Sequence, residues 1–105
     1  MNEEIAKFVP DIKKCLEDLK EIEKRGCNEY SITDLGTLIQ YAYQLSTITG
    51  IENFKNNINQ TIEKQWYYLN LNKLKPKKRS TYWSETINNL RTDLIGAIVM
   101  ADATI

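Results

Sequence analysis

Apolar residues recur at helical spacing through most of this chain. Ile5, Phe8, Ile12, Cys15, Leu19 and Ile22 follow one another at intervals of three and four, the seam of an amphipathic helix. Val9 and Leu16 widen the stripe. Pro10 has no N–H to donate and suits only a first turn, so the helix proper is expected to start near Val9. Residues 2–8 would then form a turn or a short separate helix. Gly26 follows Lys24 and Arg25, two cations that complement a C-terminal dipole, and reads as the stop.

The next stripe is Leu35, Leu38, Ile39, Ala42, Leu45 and Ile48, ended by Gly50. Ser31, with Asp34 three residues later, reads as its N-cap and a variant capping box. Gly36 inside this helix costs about 1 kcal/mol relative to Ala, so close approach by another helix is the expected compensation. A third stripe runs through Ile51, Phe54, Ile58, Ile62, Trp66 and Leu69. Its polar face holds Asn53, Asn56, Asn57, Asn59 and Gln60; Asn is a middling helix former, so this helix depends on packing. Asn70–Arg79 reads as the linker, because Pro76 disfavours helix at Lys75 and five cations cluster there. Ser80 or Thr81 would cap a fourth helix with the stripe Trp83, Ile87, Leu90, Leu94, Ile98 and Ala101.

No segment alternates with period two and no Asn-Gly or Asp-Gly hairpin signal is present. The pattern therefore predicts an all-α protein, an antiparallel four-helix bundle. Its helices fall near 10–25, 31–49, 51–70 and 80–101, in one domain spanning 1–105. The Thr49-Gly50 junction is short enough to make a hairpin of the second and third helices. The expected core is Ile12, Leu16, Leu19, Leu35, Leu38, Leu45, Ile58, Ile62, Trp66, Trp83, Leu90 and Leu94.

Composition narrows the chemistry. A chain of 105 residues buries about two-thirds of its unfolded surface and needs neither disulfide nor metal to fold. It contains no histidine. That removes the commonest general base and metal ligand, Ser-His and Cys-His nucleophile pairs, and the Glu-x-x-His pairs of di-iron bundles. Cys15 and Cys27 make no Cys-x-x-Cys zinc pair and too few cysteines for a disulfide framework. Cys15 falls on the apolar stripe and Cys27 in the following loop, too far along the axis for a bridge. No phosphate-cradling Gly-x-x-x-x-Gly-Lys-Ser/Thr run exists. Glu17 and Glu21 share one face but have Lys20, Lys24 and Arg25 at three or four residues, so they read as ordinary surface pairs and not a cation site. No catalytic residue, metal site or cofactor is expected.

Charge is divided unevenly although it sums to zero. Residues 1–52 carry six Lys/Arg and ten Asp/Glu, and residues 53–105 carry eight and four. No run of about 18 apolar residues could span a membrane. The acidic start Met1-Asn2-Glu3-Glu4 lacks the basic and apolar regions of a signal peptide. The expectation is a cytoplasmic protein with no membrane insertion.

Two surfaces stand out. From Ile32 to Ile51 the only charged residue is Asp34. The outer face of that helix would carry Thr37, Gln40, Tyr41 and Gln44, with Tyr43 at its border. Exposed helices usually carry Lys and Glu for solubility, whereas charge depletion with tyrosine is typical of an interface core. Burial of the helix on most sides of the bundle would account for the same pattern. The second surface is the basic segment Lys73, Lys75, Lys77, Lys78 and Arg79, flanked by Trp66, Tyr67, Tyr68, Tyr82 and Trp83, a mixture that can hold phosphates and stack bases. Zero net charge and an acidic first half weigh against nucleic acid. A solvated linker beside core aromatics explains that cluster more simply. The expected function is thus a small non-enzymatic interaction module: an inhibitor, immunity protein, adaptor or assembly subunit that binds another protein chain, its own copy included. A nucleic-acid-binding module using Lys73–Arg79 is the alternative. Small helical immunity proteins share this size and class, which is an analogy of fold alone.

Overall fold

A computed structural model describes the backbone of residues 3–66 and 76–103, and the side chains of residues 5–64 and 79–101. A single turn, α1 (Glu3–Ala6), leads into α2 (Val9–Arg25), α3 (Glu29–Thr49) and α4 (Glu52–Thr61). The chain continues from α4 into a π-helical turn, Ile62–Trp66, and the last helix is α5 (Pro76–Ala103). No strand occurs among the described residues. Packing is cyclic: α2 lies against α3 and α5, and α4 lies against α3 and α5, so α3 and α5 occupy opposite corners. This is the all-α four-helix bundle that the periodicity predicts. It is elongated, with principal extents of 47 × 23 × 16 Å.

Two glycines make the tight turns. Gly26 (φ 78°) and Gly50 (φ 67°) occupy the left-handed region that a side chain resists, and each ends a helix. The turns make α2–α3 and α3–α4 short-looped hairpins. Arg25 Nη1 also reaches Asp34 Oδ2 at 2.7 Å across the first of them. Arg91 of α5 pairs with Glu23 near the end of α2, and Arg79 at the start of α5 lies close enough to Cys27 to act on its thiol. α5 therefore runs antiparallel to α2.

The core stripes follow a strict 3,4 alternation. In α2 they are Ile12, Cys15, Leu19 and Ile22, and in α5 Trp83, Ile87, Leu90, Leu94, Ala97 and Ala101, all buried. Phe54 and Ile58 fill the α4 side. In α3 the buried set is Ser31, Leu35, Leu38, Ala42, Leu45 and Thr49, with Gly36, Ile39 and Ser46 beside it. Burial of that much apolar surface is the main stabilising term.

Several boundaries differ from the expected ones. The N-cap of α3 is Asn28, not Ser31: the Ser31 N–H donates to Asn28 Oδ1 at 2.9 Å. The helix thus starts a turn earlier, and Ser31 becomes a core position. Ile48 is 62% exposed, because the 3,4 rhythm that buries Leu45 next reaches Thr49. Thr49 tolerates burial by donating its hydroxyl to Ser46 O at 3.2 Å. The expected linker ends earlier, since Pro76–Arg79 form the first turn of α5, where a proline is tolerated; Ser80 and Thr81 lie inside the helix and do not cap it. The third helix gives way to π geometry at Ile62, and Leu16 and Ile62 are half-buried at the core margin. The side chain of Trp66 lies outside the described residues.

Candidate functional site

The outward face of α3 differs in kind from its neighbour. On α2 the exposed positions after Pro10 are Lys13, Lys14, Glu17, Asp18, Lys20, Glu21, Glu23, Lys24 and Arg25, every one charged. On α3 the exposed positions after Asp34 are Thr37, Gln40, Tyr41, Tyr43, Gln44, Thr47 and Ile48, none charged. Thr37, Gln40, Tyr41 and Gln44 are all exposed, so burial within the bundle does not explain the missing charge. Thr37 and Thr47 donate their hydroxyls to the carbonyls of Thr33 and Tyr43, both at 3.2 Å. With those donors committed to their own helix, the two threonines present less polar surface than their formula suggests.

Two grooves flank this ridge. Between α2 and α3 lies a groove of about 470 Å³ with buried Ile22 and Leu38 among its lining and Thr37 and Tyr41 on the α3 side. Its charged rim is largely paired within the chain: Arg25 with Asp34 at 2.7 Å and Lys14 with Asp18 at 3.6 Å. The Tyr41 phenol is held above its ordinary pKa, first by partial desolvation and then by the Asp11 carboxylate, which places its oxygen toward α2. On the other flank, Gln40 and Gln44 join Ile39, Tyr43, Asn59 and Ile62 around a groove of about 540 Å³ between α3 and α4. The four predicted contact residues thus form one ridge, two facing each groove.

Most of the basic segment falls outside the described side chains. Lys73 and Lys75 lie outside the described residues. Lys77 and Lys78 sit in the first turn of α5, with side chains outside the described set, and Arg79 is half-buried near Cys27. Glu21 pairs with Lys24 at 3.9 Å, as its spacing predicts. No group of three or more Cys, Asp or Glu side chains close enough to hold a metal occurs among the described residues. No described helix is long and apolar enough to cross a membrane.

Sequence reasoning missed one polar cluster. Thr61 at the end of α4 donates to Asp93 Oδ2 of α5 at 2.8 Å, and both residues are buried. Desolvation raises the Asp93 carboxyl to about pKa 6 against the opposing effect of the Thr61 hydrogen bond. The available signal was that Asp93 lies between the core residues Leu90 and Leu94 and seven residues after buried Thr86.

Comparison with known protein families, with curated proteins and with solved structures finds no match to this chain.

Proposed function

We propose that this protein acts by binding another protein chain through the outward ridge of α3, without catalysis of its own. The observation that supports this is the contrast between two adjacent helices: the exposed face of α2 is charged at every position after Pro10, and that of α3 after Asp34 at none. Solubility alone favours charge on both. An interface favours its removal from one, because an unpaired charge costs desolvation when it is covered. Tyr41 and Tyr43 add large contact area at low rotamer entropy. The grooves on either side would receive side chains of the partner. Both cysteines are free, and a reducing cytoplasmic compartment suits that state.

The partner is a second copy of this chain or a different protein such as the target of an inhibitor. Sedimentation of the purified chain distinguishes these, and capture from the source cells identifies a different partner. Tyr41→Lys is the control, since Tyr41 is exposed and its replacement leaves the core intact. The variant should keep its helical circular dichroism spectrum and lose self-association or capture. Unchanged binding by a folded Tyr41→Lys protein removes the α3 ridge as the contact. If neutralising Lys75, Lys77, Lys78 and Arg79 instead abolishes a salt-sensitive complex with polynucleotide, the basic segment is the working surface.

A further inference from the structure

Away from α3, one side of the α4–α5 contact is polar where a bundle is usually apolar. Asn57, Gln60, Thr61 and Lys64 follow at i, i+3, i+4 and i+7, a single face of α4 and the π-helical turn. Asn89 and Asp93 of α5 face them, and the six side chains line a cavity of about 250 Å³. Asp93 is only 7% exposed. Its Oδ2 accepts from Thr61, while Oδ1 takes no hydrogen bond among the described residues. Burying a carboxylate carries a desolvation cost that an apolar residue at this position would avoid. Lys64 lines the same cavity, is exposed, and forms no ion pair among the described residues. Acid and base thus share one small chamber without closing on each other. Lys64 lies in the π-helical turn, a distortion found frequently at functional sites.

We propose that this cavity binds a small zwitterion with the head group of an α-amino acid, its ammonium donating to Asp93 and its carboxylate accepting from Lys64. The amides of Asn57 and Gln60 supply donors and acceptors for a short polar side chain. A metal ion suits the cavity less well, because one carboxylate is its only anionic ligand and the Lys64 ammonium repels a cation. A phosphate or other simple anion is opposed by Asp93. At roughly 30 Å³ per water molecule, the chamber has room for a ligand of about six to eight non-hydrogen atoms. The site lies across α4 from the ridge of α3, so it stands or falls independently of the protein-binding reading.

The test uses the full chain, isotopically labelled, titrated at neutral pH with three probes. L-Serine carries both charges, ethanolamine lacks the carboxylate, and lactate lacks the ammonium. Serine should move the side-chain amide signals of Asn57, Gln60 and Asn89 along a saturating curve in the millimolar range. Ethanolamine and lactate should bind at least about tenfold more weakly. Asp93→Asn, close to isosteric, and Lys64→Met, on an exposed residue, should each weaken serine by a similar factor; if either misfolds by circular dichroism, the other carries the comparison. The proposal is overturned by shifts that stay linear with serine concentration, by ethanolamine or lactate binding as well as serine, or by undiminished binding in a folded variant.

Discussion

Arg91 Nη2 lies 2.6 Å from Glu23 Oε1, a contact that joins α5 to α2 across 68 positions of sequence. Both side chains are more than a third exposed. Water and salt therefore screen the pair, and exposed pairs of this kind contribute about 0–1 kcal/mol. Leu90, one residue earlier, is fully buried in the same helix. Arg91→Ala is expected to cost under about 1 kcal/mol and Leu90→Ala about 2–5 kcal/mol in urea unfolding. Equal losses would mean that α5 is held by its surface charges and not by its apolar stripe.

The turn before α3 separates a cap from a core hydroxyl. Asn28→Ala removes the acceptor for the Ser31 N–H and should cost about 1 kcal/mol. Ser31 Oγ is buried with no hydrogen-bond partner among the described residues. Ser31→Ala should therefore be neutral or stabilising, since it deletes an unsatisfied group. Thermal melts of the two single variants decide the matter. A larger loss from Ser31→Ala than from Asn28→Ala would return the cap to Ser31.

Asp93 makes stability depend on pH in the direction opposite to that of most carboxylates. Its pKa is about 6 in the fold, against 3.8 for an unburied aspartate. Between these values the native state binds the proton and the unfolded chain does not. The contribution is full below about pH 4, falls as pH rises toward 6, and is gone above it, a change of roughly 3 kcal/mol. Asp93→Asn should flatten the melting temperature across that window and raise it at pH 7. A parent protein equally stable at pH 4.5 and pH 7, with no difference from the variant, would show that Asp93 is hydrated in the fold.

The thiols should also separate. Burial, reinforced by Asp18, pushes Cys15 up to about pKa 12, leaving almost no thiolate at pH 8. Cys27 is also raised by desolvation, but Arg79 opposes the shift and the residue is half-buried in the turn. Under native conditions a disulfide reagent should label one thiol, Cys27, with Cys15 following only on unfolding. Rapid labelling of both would place α2 in frequent local opening.

The fold was readable because its four stripes are mostly aliphatic and keep a helical period. Leu35, Leu38, Ala42 and Leu45 mark the α3 seam without help from tertiary structure. The same rule failed where the seam passed through a polar residue. Ser31 and Thr49 continue the 3,4 rhythm at its two ends, but hydroxyl chemistry pointed to a cap at one and away from the core at the other. Ile48 was apolar and so was counted inward. Thr61 and Asp93 were invisible for a related reason: each satisfies the other, and that compensation exists only once α4 and α5 meet. The charge gap on α3 was fully legible, because absence of charge is a property of sequence. Its exposure was not, since charge depletion also describes a helix buried on most sides.

The short turns at Gly26 and Gly50 have a kinetic consequence. Loop closure for α2–α3 and α3–α4 involves only a few residues, so the entropy lost before contacts form is small. These three helices can associate as a local zigzag on the timescale of helix and turn formation. By contrast, α5 must search for its place after a longer connection, and only its arrival covers the apolar faces of both α2 and α4. Folding should accordingly be rapid and limited by the docking of α5. Mutations in the α2–α3 seam would then slow folding, while truncation of Leu94 or Ala97 would chiefly alter the last step and the rate of unfolding.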